Sequence, residues 1–172
     1  MNQPPPAAGP PPPPPLKMED LDAPLHWLGF EIDCLSPDKV SGHFIITSKS
    51  SQAFKVLHGG VSALIAESLA SIGAYLVTGQ HRVAGVHLSI SHLKSAQLGD
   101  FVTAEATPVN IGKTIQLWEV RLSKCDPSNS EIKTLISSSR VTLICNLPVP
   151  ESFKTVAQGL KKACCDHNSF GL

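Results

Sequence analysis

The hydrophobic positions along the chain follow two different periods, which predicts one long helix among several strands. In residues 86–91, Val-His-Leu-Ser-Ile-Ser, apolar and polar residues alternate strictly, as in a strand with one buried face. The segment Val61–Val77 is apolar on almost every side, which indicates a helix surrounded by protein. The sequence Leu57-His58-Gly59-Gly60 introduces that helix.

Six further segments complete the predicted order of elements. Leucines at helical spacing predict a short helix, and five stretches bounded by turn residues read as strands. The helix is expected over Glu19–Leu28, and the strands over Phe30–Leu35, Val40–Thr47, Phe101–Pro108, Thr114–Ser123 and Lys133–Asn146. Consecutive strands joined by short turns favour an antiparallel sheet, and such a sheet can bury an apolar helix by wrapping around it. The predicted fold class is therefore α+β with one long central helix.

The composition divides the chain into three parts. Nine of the 15 prolines lie in the first 15 residues, so residues 1–18 are expected to form a disordered, proline-rich leader. Such a leader is either a solvated tail or a ligand for a proline-binding partner. Residues 19–150 are expected to form one domain, and residues 151–172 a tail with a helical segment over Ser152–Cys164.

Charge and cysteine usage narrow the class of protein. Lys and Arg total 14, as do Asp and Glu, so no net charge attracts nucleic acid or an anionic membrane. The five cysteines lack the spacing of a disulfide framework, which favours an intracellular protein. The apolar helix is at the short limit for a bilayer span and contains Glu67, so no membrane span is expected.

Glu67 is the most informative single residue. A carboxylate in the middle of an apolar helix is expensive to bury unless it is paired or used. Ser71 lies one turn later on the same face, where its hydroxyl could donate to that carboxylate. The alternative is that Glu67 simply reaches solvent at the edge of a subunit.

Two glycines at the start of the helix suggest a place for negative charge. At Gly59 and Gly60 no side chain covers the first helical N–H groups, which can hold a developing oxyanion or polarise a carbonyl. Gly59 and Glu67 are eight residues apart, or about 12 Å along the axis, so one substrate atom cannot easily touch both. If both act on one substrate group, they come from different protomers. The alternative for Gly-Gly is an ordinary helix-entry turn.

Other candidate chemistry is weaker. Gln52 and His58, in the loop before the helix, could hydrogen-bond a substrate carbonyl or position a water. His87 and His92 fall on opposite faces of their strand, and the tail sequence Cys164-Cys165-Asp166-His167 lacks the spacing of a closed metal site. No nucleophile elbow, P-loop or dinucleotide motif is present, so neither a metal nor a cofactor is expected.

The segment from Gln52 to Ser71, with its Gln, His-Gly-Gly and Glu, resembles the active-site segment of hotdog-fold acyl-CoA thioesterases of the 4-hydroxybenzoyl-CoA type. The resemblance continues through Val83–Ser95 and Ala106–Trp118 and covers about residues 25–147. It implies that Gly59 offers its N–H to the thioester carbonyl. Glu67 of the neighbouring subunit is then the nucleophile or the base that activates water. Gln52 and His58 orient the carbonyl or the acyl ring, and Ser71 the carboxylate or water.

The resemblance also implies a substrate and partners. Coenzyme A, as part of the substrate, is expected to contact Gly85, His92, Lys94, Ser95, Asn110, Gly112, Lys113 and Thr114. The similarity is greatest to plant members that hydrolyse 1,4-dihydroxy-2-naphthoyl-CoA for phylloquinone synthesis, which act as homodimers or homotetramers in peroxisomes. The last residues, Phe170-Gly171-Leu172, match a peroxisomal Ser-Lys-Leu signal only at the final position, so a cytoplasmic location is the alternative. The alternatives for function are a broad-specificity acyl-CoA thioesterase and a non-catalytic acyl-CoA-binding protein.

Overall fold

A six-stranded antiparallel sheet and a long helix packed across one of its faces form the fold. The computed structural model describes residues 18–79, 81–126 and 133–151, so most of the predicted leader and the predicted helix Ser152–Cys164 lie outside the described residues. In chain order the elements are α1 (Met18–Leu21), α2 (Ala23–Leu28), β1 (Glu31–Leu35), β2 (Val40–Ile45), α3 (Gly59–Val77), β3 (Arg82–His92), β4 (Phe101–Ile111), β5 (Ile115–Cys125) and β6 (Lys133–Leu147).

The strand order of the sheet is β1-β2-β4-β5-β6-β3, and every neighbouring pair is antiparallel. Strand β3 follows α3 in the chain but pairs with β6, so it forms one edge of the sheet while β1 forms the other. The α+β class, the antiparallel sheet and the long helix predicted from the sequence are confirmed.

The short helix predicted over Glu19–Leu28 is divided in two at Asp22. The side chain of Asp22 caps α2, because its Oδ1 accepts the N–H of Leu25 at 2.9 Å. Pro24 lies in the first turn, where its missing N–H is tolerated, whereas the interior of a longer helix would exclude it. Gly29, with φ of 74°, ends α2 in the left-handed conformation.

Helix α3 is covered by the sheet on one side only. Its buried residues lie on that side and are Ser62, Ile65, Ala66, Ser68, Leu69, Ala70, Ile72, Gly73 and Ala74. Glu67 lies on the other side and is exposed, so the prediction of a helix surrounded by protein is wrong for a single chain. By length and composition alone, α3 could cross a membrane, but half of it is buried in the protein, and core helices meet the same test.

Strand β3 also lacks the cover that its alternating pattern predicts. None of its residues is buried: Leu88 and Ile90 are half-buried, and Val86 is 58% exposed. The register shifts between Gly85 and His87, which marks a β-bulge. The expected buried face of this strand is therefore incomplete within one chain, on the same side of the molecule as the open face of α3.

Candidate active site

The N-terminus of α3 is shaped by His58, which caps the helix. Its Nδ1 accepts the N–H of Gly60 at 2.9 Å, so of the two predicted glycine donors, Gly60 is already occupied. Because Nδ1 is an acceptor here, a neutral His58 carries its proton on Nε2, and the exposed ring can donate from that atom. His58 thus caps the helix through Nδ1 and has Nε2 as a second, donating atom.

Gly59 provides the free backbone donor at this helix end. Within the described ranges, no acceptor takes its N–H, which lies at the positive end of the helix dipole. A Cβ on Gly59 would lie 3.0 Å from Nε2 of His92, so a side chain here would press against that ring. The absence of a side chain keeps the N–H accessible to a substrate oxygen.

A cavity of about 420 Å³ opens beside Gly59, and we call it the N-terminal cavity. It brings together five residues predicted from the sequence, Gln52, Gly59, His92, Lys94 and Ser95. Apolar residues and two serines missed by sequence reasoning complete its lining: Val56, Leu57, Ser62, Leu93, Ala96, Ile136 and Ser137. The size and the mixed lining are typical of a site for a small organic group.

Gln52 enters the N-terminal cavity with a defined amide orientation. Its Oε1 accepts the N–H of Phe54 at 2.9 Å, which leaves the amide NH₂ group as a donor. Gln52 is therefore suited to donate to a carbonyl or hydroxyl oxygen, as the resemblance implies.

Glu67 lies at a second cavity of about 240 Å³, the carboxylate cavity, which is lined by Glu67, Gly85, Val86, His87, Leu88 and Val141. Gly85 allows the carboxylate to approach β3, because a Cβ there would lie 2.5 Å from Oε1 of Glu67. Glu67 is exposed rather than buried and forms no ion pair with another described residue. Ser71 is half-buried and makes no hydrogen bond to Glu67, so the expected donation from that hydroxyl is wrong for the single chain.

The remaining predicted coenzyme A contacts lie elsewhere, at the turn between β4 and β5. Asn110, Gly112, Lys113 and Thr114 line neither cavity. The turn is fixed to β6, since the carbonyl of Lys113 accepts from the side chain of Asn146 and that of Thr114 from the N–H of Cys145. Lys113 is exposed at this turn, and Lys94 is exposed at the N-terminal cavity.

The geometry therefore separates two groups of predicted residues. The N-terminal cavity and the carboxylate cavity share no lining residue. Gly59 and Glu67 are about 12 Å apart along α3, and His92 and Gly85 lie near opposite ends of β3. One protomer cannot place both groups on one thioester carbon.

Other chemistry finds little support among the described residues. Burial raises the pKa of the Cys145 thiol above its ordinary value, and the backbone hydrogen bond with Gln116 opposes that rise. The thiol stays protonated at neutral pH and is a poor nucleophile. No three His, Cys, Asp or Glu side chains within residues 18–79, 81–126 and 133–151 lie together as a metal site requires. The sequence Cys164–His167 lies outside these ranges.

Comparison with known proteins places this geometry in a family. The profile of the Thioesterase superfamily matches residues 54–129. A relative from Arabidopsis thaliana, 1,4-dihydroxy-2-naphthoyl-CoA thioesterase 2, is 55% identical over 143 residues, which cover 83% of this chain and 91% of the relative. A relative from Listeria monocytogenes, 1,4-dihydroxy-2-naphthoyl-CoA hydrolase, is 37% identical over 117 residues, covering 67% of this chain and 89% of the relative.

A solved structure gives the same answer at the level of the fold. The crystal structure of a thioesterase from Haemophilus influenzae superposes with a TM-score of 0.62 at 32% identity, covering 74% of this chain and 85% of that one. The profile match, the close relatives and the shared architecture agree with the resemblance seen in the sequence. The chain belongs to the thioesterase superfamily and has the hotdog fold.

Proposed function

We propose that this enzyme hydrolyses 1,4-dihydroxy-2-naphthoyl-CoA to 1,4-dihydroxy-2-naphthoate and coenzyme A, as a step in phylloquinone synthesis. The names of the Arabidopsis and Listeria relatives support this substrate. The observation that carries the reaction is the presence of two groups that no described residue pairs with: the N–H of Gly59 at a helix N-terminus and the carboxylate of Glu67. Thioester hydrolysis needs both a donor for the carbonyl oxygen and a base or nucleophile.

The proposed reaction uses these groups in turn. The N–H of Gly59, with Gln52 or His58 as a second donor, holds the carbonyl oxygen and stabilises the negative charge that develops on it. Glu67 either takes a proton from water as the water adds to the carbonyl carbon, or attacks that carbon itself to form an anhydride that water then cleaves. In both routes the carbon–sulfur bond breaks and the sulfur leaves as the thiolate of coenzyme A. The thiolate becomes the thiol by taking a proton, from the protonated Glu67 in the first route and from water in the second.

A homodimer with shared sites supplies the geometry that one chain lacks. The open face of α3 and the uncovered β3 lie next to each other, and both carry residues of the site. A second chain packed there would bring its Glu67 and Gly85 to the N-terminal cavity of the first. Pairing of two dimers into a tetramer stays a prediction from the resemblance.

The two ends of the substrate differ in polarity, which orients them in the N-terminal cavity. The aromatic acyl group fits the inner part, among Val56, Leu57 and Ile136, because burying an apolar ring there removes it from water. Coenzyme A is highly charged and is placed along the exposed rim. There the ammonium groups of Lys94 and, in a dimer, Lys113 can contact its phosphates.

A panel of acyl-CoA substrates tests the function. Released thiol is followed with purified full-length protein and with two variants, Glu67→Gln and the control Glu105→Gln. Glu105 is exposed on the sheet, and its carboxylate lies 3.8 Å from Nζ of Lys39. That surface ion pair contributes little to stability. We expect a strong preference for 1,4-dihydroxy-2-naphthoyl-CoA. Glu67→Gln should reduce turnover by about 10²-fold or more with coenzyme A binding retained, and Glu105→Gln should leave it unchanged.

The other outcomes discriminate among the alternatives. Comparable hydrolysis of straight-chain and aromatic substrates would leave a thioesterase of broad specificity. No thiol release with tight coenzyme A binding would indicate a binding protein, and full turnover by Glu67→Gln would remove the role of this carboxylate.

A peroxisomal location accompanies the proposed function, with similarity to plant family members as its support. A fluorescent protein fused to the N-terminus, with the last residues left unchanged, should overlap with a peroxisomal marker in plant cells. Diffuse cytoplasmic fluorescence would favour the alternative location.

A further inference from the structure

The floor of the N-terminal cavity carries a buried hydroxyl that the reaction does not use. Ser137 is 1% exposed, and its Oγ has no hydrogen-bond partner in the described part of the chain. A buried hydroxyl without a partner destabilises the fold, so such groups are rare unless water or a ligand satisfies them. Ser137 lines the N-terminal cavity, and so does the buried Ser62.

The register of the sheet places Ser137 close to the reacting centre. Ser137 on β6 is the direct partner of His92 on β3, so the two side chains share the face of the sheet that carries α3. Nε2 of His92 in turn lies 3.0 Å from the point that a Cβ on Gly59 would occupy. The His92 side chain therefore lies between Ser137 and Gly59, whose N–H is proposed to bind the thioester oxygen.

The polarity of the residues that line the N-terminal cavity indicates which kind of group the Ser137 hydroxyl contacts. The lining near Ser137 includes the apolar Ile136 and Ala96, and the charged Lys94 lies at the exposed rim. The group that reaches the floor is therefore apolar in bulk, as an aromatic acyl ring is. A ring that carries its own hydroxyl groups can satisfy Ser137 where an unsubstituted ring cannot.

We propose, on the basis of the function proposed above, that Ser137 selects hydroxylated aromatic acyl groups by hydrogen bonding to a ring hydroxyl. Ser62 lies on the facing helix and closes the same floor. A site built to bond a substrate hydroxyl discriminates against the analogue without it, because the buried protein group is then left unpaired. Ser137 is in this view a specificity-determining residue and leaves the bond-breaking step to Gly59 and Glu67.

Ser139 offers a matched control. It lies two residues along β6 on the same face, is 1% exposed, and its Oγ also has no partner among the described residues. It lines neither the N-terminal cavity nor the carboxylate cavity, because its sheet partners are Ile90 and Val120. Replacing either serine by alanine removes one buried unpaired hydroxyl, but only Ser137→Ala removes one that faces the proposed acyl group.

The experiment compares kcat/KM for 1,4-dihydroxy-2-naphthoyl-CoA and 2-naphthoyl-CoA in the wild-type protein, Ser137→Ala and Ser139→Ala. We expect the wild-type protein to prefer the dihydroxylated substrate. Ser137→Ala should reduce the ratio of the two values about tenfold or more, and Ser139→Ala should leave it unchanged. Thermal unfolding of all three proteins checks that both variants fold.

Each remaining outcome overturns the inference in a recognisable way. An unchanged ratio in Ser137→Ala, or an equal fall in both variants, would assign Ser137 a structural role while the proposed reaction stands. Equal use of the two substrates by the wild-type protein would remove ring-hydroxyl selection altogether. Failure of the wild-type protein to hydrolyse either naphthoyl thioester, with activity on other acyl-CoAs, would reject the proposed substrate and this inference with it.

Discussion

Glu67 is an exposed carboxylate on an apolar helix, a combination that the structure of a single chain does not explain. It lies in the middle of the apolar helix α3, yet it is exposed, and its carboxylate lies close to Gly85 on β3. A carboxylate on an otherwise apolar surface lowers the gain from burying that surface. Its position is explained if a second chain covers this surface and Glu67 acts on the substrate bound to that chain.

Gly85 tests whether the position of that carboxylate matters. An added Cβ would lie 2.5 Å from Oε1 of Glu67, and the exposed end of a flexible glutamate can move aside. We expect Gly85→Ala to lower kcat by about 10-fold or more, since small displacements of a reacting group reduce rates strongly. The melting temperature should stay close to that of the wild-type protein.

Ser89→Ala, an exposed position on the same strand, serves as the control for Gly85→Ala and should keep full activity. If Gly85→Ala retained the wild-type kcat, the observed position of Glu67 beside β3 would not be the reactive one.

At the scale of residues, the sequence predicted the glycine N–H donors and the Glu67 carboxylate, but it did not predict which of these groups already have partners within the chain. The His-Gly-Gly motif predicted a helix N-terminus with two free glycine N–H groups. Among the described residues the N–H of Gly59 has no acceptor, whereas His58 accepts the N–H of Gly60. Ser137 could have been suspected as a polar residue at a core position of a strand. Its place beside Gly59 depends on the pairing of β3 with β6, which no local pattern contains.

At the scale of elements, the packing of α3 on the sheet includes a close contact between Gly73 and Trp118. Gly73 faces Trp118, which is fully buried and donates its Nε1–H to Oε1 of the buried Gln116 at 2.9 Å. A Cβ on Gly73 would overlap the ring carbons of Trp118. The glycine therefore allows the helix to approach a large side chain that is held in place from the other side.

Gly73→Ala distinguishes packing from helix propensity, because the two effects have opposite signs. In a free helix the change would stabilise by roughly 0.5–1 kcal/mol. Here we expect the free energy of unfolding to fall by about 1–3 kcal/mol, measured by urea denaturation, because the core is overpacked.

The smaller ring in Trp118→Phe should reduce the effect of Gly73→Ala, so the double variant should be more stable than the sum of the two single changes predicts. Strict additivity would show that the two residues do not compete for the same space.

The elements themselves were largely predictable, since periodicity decides between helix and strand. The strands matched within a few residues, and α3 begins at Gly59, two residues before the predicted start. The hydrophobic patterns were misleading for burial, in α3 and β3, where they predicted more buried positions than one chain contains. Both α3 and the alternating residues 86–91 predicted more burial than one chain provides, which the proposed dimer would account for by covering both surfaces.

At the scale of the whole molecule, the proposed homodimer would explain both the uncovered parts of α3 and β3 and the two separate cavities. In this proposal each chain has half of the groups that the reaction needs at either cavity, and an isologous dimer would supply the other half to both at once. Such a dimer has two identical sites, each with Gly59 from one chain and Glu67 from the other. The arrangement can be tested without a structure of the dimer.

Two inactive variants should complement each other if the sites are shared. In a mixed dimer of Gly59→Val and Glu67→Gln, one site contains both substitutions and the other contains neither. Refolding equal amounts together should restore about a quarter of the wild-type turnover, because half of the dimers are mixed and one of their two sites is intact.

The reciprocal mixture gives the decisive comparison for complementation. A double variant that carries both substitutions in one chain, refolded with an equal amount of wild-type protein, places one substitution in every site of the mixed dimer. Shared sites then leave only the wild-type homodimers active, about a quarter of the total, whereas self-sufficient chains would leave about half. No recovery in the first mixture together with half activity in the second would show that each chain holds a complete site. Gly59 and Glu67 of the same protomer would then have to act on one substrate across the roughly 12 Å that separates them along α3.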